Sequence, residues 1–523
     1  MHQVSKDKEQ FHKSIQRASW LLVGSVLLSR LIGFVREWVL AQTVGANSLT
    51  DVYYASFTIP DSINYLMAAG ALSISFIPLL SNYMAKGDEQ TGALLFRSLL
   101  TWMGSLLILL IVLAEIFAVP LARAIAPGFA PDQVDLLAFL LRIILPAQYF
   151  FYFGSLAMAV QHTHGRFFIP AVAPIFYNLG IIIFGVGLGE RFGVTGFSIG
   201  VLVGSVFSHG LLQWWGLRSV GFSCRPYFSL PPEVKSGLKT YIMLTLPLAF
   251  SFSLLVTDEW ISKYFASGFE ARALSYLSYA RTEMRIPLAV IGQVAGVASF
   301  PFLAKLWFSG LKQDYGSTLL REIMKMWAAG PLAALVLYYF ALPATHFIYG
   351  GGKFTQADLV DTSLVLKMYS LGVFFWVVQV LLSRGFYACQ KTWIPSLWGG
   401  VCTLIAIPLY PYFSKIYGFA GLALAGSVGI SIYCVVLWLL LLRHLRVHEA
   451  VATWVPFLKF FFGWSVVIVA MGFVCSGVQS LGIYKETRGS ALLELILITA
   501  VVGGISVGLL RTVFRRLTGG PLY

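Results

Sequence analysis

The sequence predicts an all-α polytopic membrane protein, and three observations carry that expectation. Hydrophobic residues fill 58% of the 523 positions and charged residues 11%, against about 25% charged in soluble chains. Apolar windows of about twenty residues, the length of one membrane crossing, recur from one end of the chain to the other. Basic residues collect in every second connection, the bias of loops on the cytoplasmic side.

Taken in order, the windows predict about fourteen transmembrane helices, near 18–42, 51–83, 93–119, 134–161, 167–189, 194–217, 237–264, 270–306, 319–343, 357–387, 393–413, 418–442, 456–480 and 488–513. The second and eighth are too long for one straight crossing, and Pro60 and Pro287 predict kinks within them. The polar stretch Met1–Arg17 carries Lys6, Lys8, Lys13 and Arg17 and lacks a cleavage-site pattern, so it reads as a cytoplasmic tail. Further basic residues lie at Lys86, Arg166, Arg218, Arg225, Lys235, Lys305, Lys312, Lys391, Arg443, Arg446 and Arg511. The connections between, such as Thr43–Thr50, Ala124–Pro131 and Tyr349–Gly352, hold almost none, which predicts that both termini are cytoplasmic. The net charge of +14 then reflects loops facing anionic lipid. No basic stripe with interleaved aromatics lies outside the apolar segments, so no nucleic-acid partner is expected.

An internal repeat divides the chain. Ile169-Pro170 recurs as Ile394-Pro395, Gly193 and Gly196 as Gly418 and Gly421, Gly204 as Gly429, and Phe129 as Phe354, all at an offset of 225 residues. Asp132 and Asp358 match at 226. Several matches at one offset predict two pseudo-symmetric six-helix lobes. Six is even, so both lobes run the same way about an axis along the membrane normal. A central cavity would be lined by the first, second, seventh and eighth helices. The expected organisation is a tail over 1–17, an N-lobe over 18–217, a cytoplasmic linker over 218–236, a C-lobe over 237–445 and a C-terminal helix pair over 446–523.

Charges inside the apolar segments are the candidate functional groups, because each costs roughly 2.5–3.5 kcal/mol at the centre of a lone helix. The first segment holds Arg30 and Arg36, with Gly33 between them and Glu37 following; Asp51 and Asp61 stand in the second. Asp258, Glu259 and Lys263 lie late in the seventh, and Arg272, Arg281, Glu283 and Arg285 in the eighth. Arg281 and Arg285, four apart, share a helix face. Lys367 and Arg384 lie in the tenth. One reading is a cationic cavity for a phosphate-bearing group, since guanidinium offers paired donors to phosphate. The other is structural: snorkelling of Arg30 or Arg36 to headgroups, and pairing of Arg281 or Arg285 with Asp258 or Glu259. The five cysteines show no paired spacing. No nucleotide-binding, hydrolase or metalloprotease motif occurs, so the chain reads as a transporter without cofactor or metal rather than an enzyme. His162-Thr163-His164 reads as a solvated loop.

Several stretches together resemble the MurJ (MviN) family of lipid II flippases, within the superfamily of multidrug, oligosaccharidyl-lipid and polysaccharide exporters. They are Ser29-Arg30-Leu31-Ile32-Gly33-Phe34-Val35-Arg36, Thr50-Asp51, Ile59-Pro60, Gly70-Ala71, Phe76-Ile77-Pro78, Ala126-Pro127-Gly128-Phe129-Ala130, Arg166 to Pro170, Gly352-Lys353-Phe354-Thr355 and Gly385-Phe386-Tyr387. The resemblance implies fourteen helices, a lipid-tail groove made by the last two, and outward transport of an undecaprenyl-diphosphate-linked muropeptide in a bacterial inner membrane, by a monomer. It places Arg30, Arg36 and Asp51 on cavity positions. Arg281 and Arg285 are the corresponding candidates in the eighth helix, with Asn64, Asp258, Glu259, Glu283 and Lys367 as accessory ones. The chain departs from the family where an arginine pair is replaced by Asn64-Tyr65, a glutamate by Ala69, and an eighth-helix arginine by Thr282, next to Arg281. Some members hold sodium with side chains of helices seven and eleven; Trp393–Phe413 contains no Asp, Asn or Glu, so that site is not carried over. The alternatives are a flippase for another undecaprenyl-linked oligosaccharide, a multidrug antiporter, which needs an acidic cavity, and a membrane transferase.

Overall fold

The computed structural model describes residues 24–25, 27–67, 76–249, 254–269, 272–444 and 451–518. The expected tail over 1–17, the start of the first span and the Ala69–Ala71 stretch lie outside them. The chain forms two compact units, Met1–Phe250 and Ser251–Tyr523.

In the first unit a helix over 27–43 (α1) leads to α2 (Ser48–Ala55), α3 (Thr58–Met67) and α4 (Ile77–Ala85). Asn47 caps α2, its side chain accepting from the Leu49 and Thr50 amides. The break before α3 places Pro60 in the first turn, where its missing N–H costs nothing. The unit continues through α5 (Glu89–Ile116), α6 (Ala118–Ile125), α7 (Pro131–Ile144), α8 (Ala147–Thr163) and α9 (Phe168–Phe192). It ends with α10 (Val194–Ser205), a π-helical segment at Val206–Leu211, α11 (Leu212–Ser219) and α12 (Pro232–Ala249). Part of the expected linker is strapped along α5. Arg97 donates to the Arg225 and Pro226 carbonyls at 2.9 and 3.3 Å, and the Tyr227 amide donates to Thr101 Oγ1 at 2.9 Å.

The second unit opens with α13 (Leu254–Ala266) and α14 (Ala273–Pro287). Of the expected seventh helix, the structure describes α12 up to Ala249 and α13 from Leu254. At Pro287 the eighth passes without interruption into a π-helical segment, Leu288–Gln293, and then α15 (Val294–Phe308). There follow α16 (Lys312–Tyr339), α17 (Ala341–Tyr349), α18 (Gln356–Ala388), α19 (Trp393–Ala406), α20 (Leu409–Tyr417) and α21 (Ala420–His444). The last pair is α22 (Val451–Ser480) and α23 (Arg488–Thr518). It is anchored by a cluster of Phe340, Met471, Cys475, Val478, Ile498 and Val502 and by Trp464 Nε1 donating to the Ala328 carbonyl at 3.1 Å.

Among the described residues, eight helices are long and apolar enough to cross a membrane. Two pairs, α16 with α17 bent by 75° and α19 with α20 bent by 44°, raise the number to ten. These ten match the third to sixth and ninth to fourteenth expected spans. The remaining four, first, second, seventh and eighth, are the ones expected to line a cavity, and all carry charge. Outward faces are apolar, as with Phe462, Val466, Val469 and Phe473 on α22 and Leu106, Leu109, Leu113 and Ile116 on α5. Faces of that kind suit contact with lipid rather than water.

The repeat recurs in hydrogen bonding. The Phe129 amide donates to the Ala126 carbonyl as Phe354 does to Gly351, and Gly196 donates to Gly193 as Gly421 does to Gly418, each pair shifted by 225 residues. Gly193 and Gly418 both hold positive φ, +53° and +61°, which glycine adopts without a Cβ penalty. The match of Asp132 with Asp358 gives way to a better one. Gln133 accepts from the Ala130 amide as Asp358 accepts from the Thr355 amide, so the offset of 225 holds there too.

Candidate functional site

In the first unit, the charged stretch of α1 splits between two faces. Six residues separate Arg30 from Arg36, about 120° apart round the helix. Arg30 is exposed. Arg36 is half-buried and turned towards α9, where its Nη1 donates to Asn178 Oδ1 at 3.2 Å. It also pairs with the adjacent Glu37. Glu37 accepts from the Tyr54 hydroxyl at 2.6 Å, and Asn178 Nδ2 is fixed by the Pro174 carbonyl at 2.9 Å. Gly33 faces the same asparagine: a Cβ there would lie 3.7 Å from Asn178 Oδ1. The guanidinium is thus braced on two sides while keeping part of its surface open. Asp51 is buried in the first turn of α2, where a carboxylate suits the helix dipole. Its neighbour Thr50 donates to the Gly45 carbonyl at 2.7 Å. Asn64 is half-buried on α3.

In the second unit, Arg281 of α14 is buried against Asp258 of α13, Nη1 to Oδ2 at 2.5 Å. Tyr369 of α18 accepts from Arg281 Nη2 at 2.7 Å and lies under the guanidinium, 5.0 Å from ring centroid to Cζ. Tyr410 of α20 donates to Asp258 Oδ1 at 2.5 Å. The pairing alternative raised by the sequence is therefore the geometry found. Arg285, one turn on, is exposed and reaches Glu259 at 2.8 Å; Lys263 holds the other oxygen of Glu259 at 3.1 Å. Three cations against two carboxylates leave this group one positive charge over. Lys367 of α18 is half-buried and has no ion-pair partner among the described residues. Glu283 points elsewhere, to Thr345 of α17.

Gly426 of α21 lies against this pair. A Cβ there would stand 2.2 Å from Asp258 Oδ1, closer than any real contact. Gly426→Ala is expected to cost about 1–3 kcal/mol by displacing the carboxylate from Arg281, seen as a lower midpoint in equilibrium unfolding of the detergent-solubilised protein. A midpoint equal to that of the unmodified chain would refute the account.

The sequence missed the side chains that hold the charges. Tyr54, Tyr369, Tyr410 and Thr345 carry no local signal, since they come from distant parts of the chain. Asn178, a polar residue in the apolar run between Pro174 and Gly180, was a visible signal. Among the described residues, no three of His, Cys, Asp or Glu gather as metal ligands would. His162 stacks on Phe167 and His164 Nδ1 lies 2.8 Å from the Val160 carbonyl.

The geometry can be set beside known proteins. The family described as lipid II flippase MurJ matches residues 40–494. A probable lipid II flippase MurJ of Buchnera aphidicola is 30% identical over 407 residues, 77% of this chain and 79% of its own length. The lipid II flippase MurJ of Burkholderia cenocepacia is 28% identical over 471 residues, 88% and 90% of the two chains. Among solved structures, a lipid II flippase MurJ in an inward closed conformation superposes with a TM-score of 0.75 at 23% identity, covering 95% of this chain and 99% of that one. An inward-facing multidrug resistance MATE family transporter of the MOP superfamily gives 0.65 at 15% identity, over 80% and 95%. These two share the fold. With a family match that runs through both units and relatives aligned over most of their length, this multi-pass membrane protein belongs to the lipid II flippase MurJ family.

Proposed function

We propose that this chain moves lipid II, the undecaprenyl-diphosphate-linked muropeptide, from the cytoplasmic to the periplasmic leaflet of a bacterial inner membrane. The observation that carries the reading is the family match over residues 40–494. It is a transporter and not an enzyme. Arg30 and Arg36 in the first unit, and Arg285 and Lys367 in the second, are the cations each unit offers to a diphosphate. Arg281 serves the site by fixing α14 against α13, and Asp51 by setting the turn that follows α1. Exposed or half-buried guanidinium is what a diphosphate needs, because charge-assisted paired hydrogen bonds are the strong ones. The polyprenyl tail stays in lipid along α22 and α23. Both termini are cytoplasmic, in line with the loop charges, and the two six-helix lobes of a monomer expose the site to each side in turn. An inside-negative potential favours outward movement of the anion by about 2.3 kcal/mol per charge per 100 mV.

The test is labelled lipid II in proteoliposomes holding the purified protein. The reading expects the headgroup, added to one leaflet, to become accessible on the other side only when the protein is present. Equal accessibility in protein-free vesicles, or transfer of an unrelated undecaprenyl-linked oligosaccharide but not of lipid II, would overturn it.

A further inference from the structure

Glu283 is buried, 1% exposed, and two residues from each of the arginines, yet faces away from them. Both its carboxyl oxygens lie within hydrogen-bond distance of the Thr345 hydroxyl on α17, 3.0 and 3.2 Å. No cation pairs with it among the described residues. Among the described residues, no charge on the elements packed against α14 pairs with Glu283, and Lys367 of α18 has no ion-pair partner at all. Asp258, Glu259 and Lys263 of α13 hold Arg281 and Arg285 or each other. Asp358 of α18 holds Arg272 and the Tyr276 hydroxyl. The charges of α16 lie in its first half, away from α17.

The next residue of α17, His346, has its Nδ1 2.6 Å from the Tyr484 hydroxyl, in the connection between α22 and α23. On α23, Glu494 is 2% exposed and its Oε2 has no hydrogen-bond partner among the described residues. Burial, then the carboxylates of Glu486 and Glu494, push the Tyr484 phenol above its ordinary value. Two consecutive polar residues of one short helix are thus engaged, Thr345 by Glu283 and His346 by Tyr484.

A carboxylate withheld from water with a single hydroxyl for company is costly; the neutral acid avoids that cost and can itself donate to Thr345 Oγ1. Ionisable groups kept inside a membrane in this way mark ion or proton pathways. We propose that Glu283 and Thr345 form a proton-binding site, and that Glu283 exchanges its proton with water as the protein transports its substrate. The O–H bond at Glu283 breaks, the proton passes to water, and the carboxylate takes up another proton in the return step. No other reactant is consumed. The coupling half rests on the lipid II reading above; the proton site itself does not.

The experiment uses the full chain. In detergent, the infrared carbonyl band of a protonated carboxyl group is titrated against pH. The wild type is expected to show a deuterium-sensitive band that Glu283→Gln loses, and that Thr345→Val moves along the pH axis. An identical spectrum in wild type and Glu283→Gln overturns the site. In proteoliposomes, the ratio of lipid II transfer rates with and without an imposed pH gradient is expected to depart from one in the wild type and to fall to one in Thr345→Val. A ratio of one in the wild type, or the wild-type ratio in Thr345→Val, overturns the coupling. If the wild type transfers no lipid II under any gradient, the substrate reading fails, and the infrared arm still decides the site.

Discussion

Asp258→Ala is expected to destabilise the second unit by about 3–5 kcal/mol, the usual consequence of stripping one partner from a buried ion pair. The reason is the burial of what remains. Asp258 is fully buried and the Arg281 side chain 6% exposed, so the guanidinium would be left with the Tyr369 and Ser262 hydroxyls alone. The Tyr410 hydroxyl would lose its acceptor as well. Arg281→Met is expected to cost less, because Asp258 keeps the Tyr410 hydroxyl and can take a proton. The double variant Asp258→Ala, Arg281→Met removes both charges and is expected to recover most of the loss, since apolar replacements of buried pairs are often neutral. Equilibrium unfolding of the four proteins in mixed micelles measures the coupling as a double-mutant cycle. If Asp258→Ala alone lay within about 0.5 kcal/mol of the wild type, the range of an ordinary surface change, the pair would not be holding α13 to α14.

That pair shows where the sequence stopped being informative. Spacing placed Asp258 and Arg281 on adjacent helices and left two readings open, an anion-binding arginine or a structural one. What separates Arg281 from Arg285 is depth. Both lie on one face of α14, but Arg281 is buried against Asp258 and Tyr369, with Tyr410 closing on Asp258, while Arg285 is 55% exposed. Those tyrosines are 88 and 152 residues from the groups they contact, and no local pattern predicts such approaches. The fold was more legible because its signals are local. Apolar runs located the helices, Pro60 lies just past the break between α2 and α3, Pro287 stands where α14 passes into a π-helical segment, and the glycines at 193 and 418 mark turns that need a positive φ. The repeat could be read from a few glycines, prolines and phenylalanines, but pairing like with like mismatched Asp132 with Asp358. Gln133 performs the same capping as Asp358, and only the hydrogen bond, not the residue type, reveals the equivalence. The same depth argument divides α1, where composition treated Arg30 and Arg36 alike.

Arg30→Ala is expected to abolish rescue of cells depleted of their lipid II flippase while the protein accumulates normally. Arg30 is exposed on α1, and an exposed charge contributes little to stability. What it removes is a donor fork for phosphate. Hydrogen bonds to charged groups contribute about 1.5–3 kcal/mol, and every 1.4 kcal/mol is about tenfold. Transfer in proteoliposomes should therefore fall by roughly ten- to a hundredfold. Arg30→Lys keeps the charge but not the planar fork, and is expected to fall between the two. Arg36→Ala makes the necessary contrast. It too should impair transfer, but it strands Glu37, which is 7% exposed and would retain the Tyr54 hydroxyl, so it should also lower the unfolding midpoint. A loss of function with loss of stability at residue 36, and without it at residue 30, is the pattern that a half-buried cation and an exposed one predict. Full growth on Arg30→Ala at normal protein levels would mean that this arginine meets lipid headgroups rather than substrate.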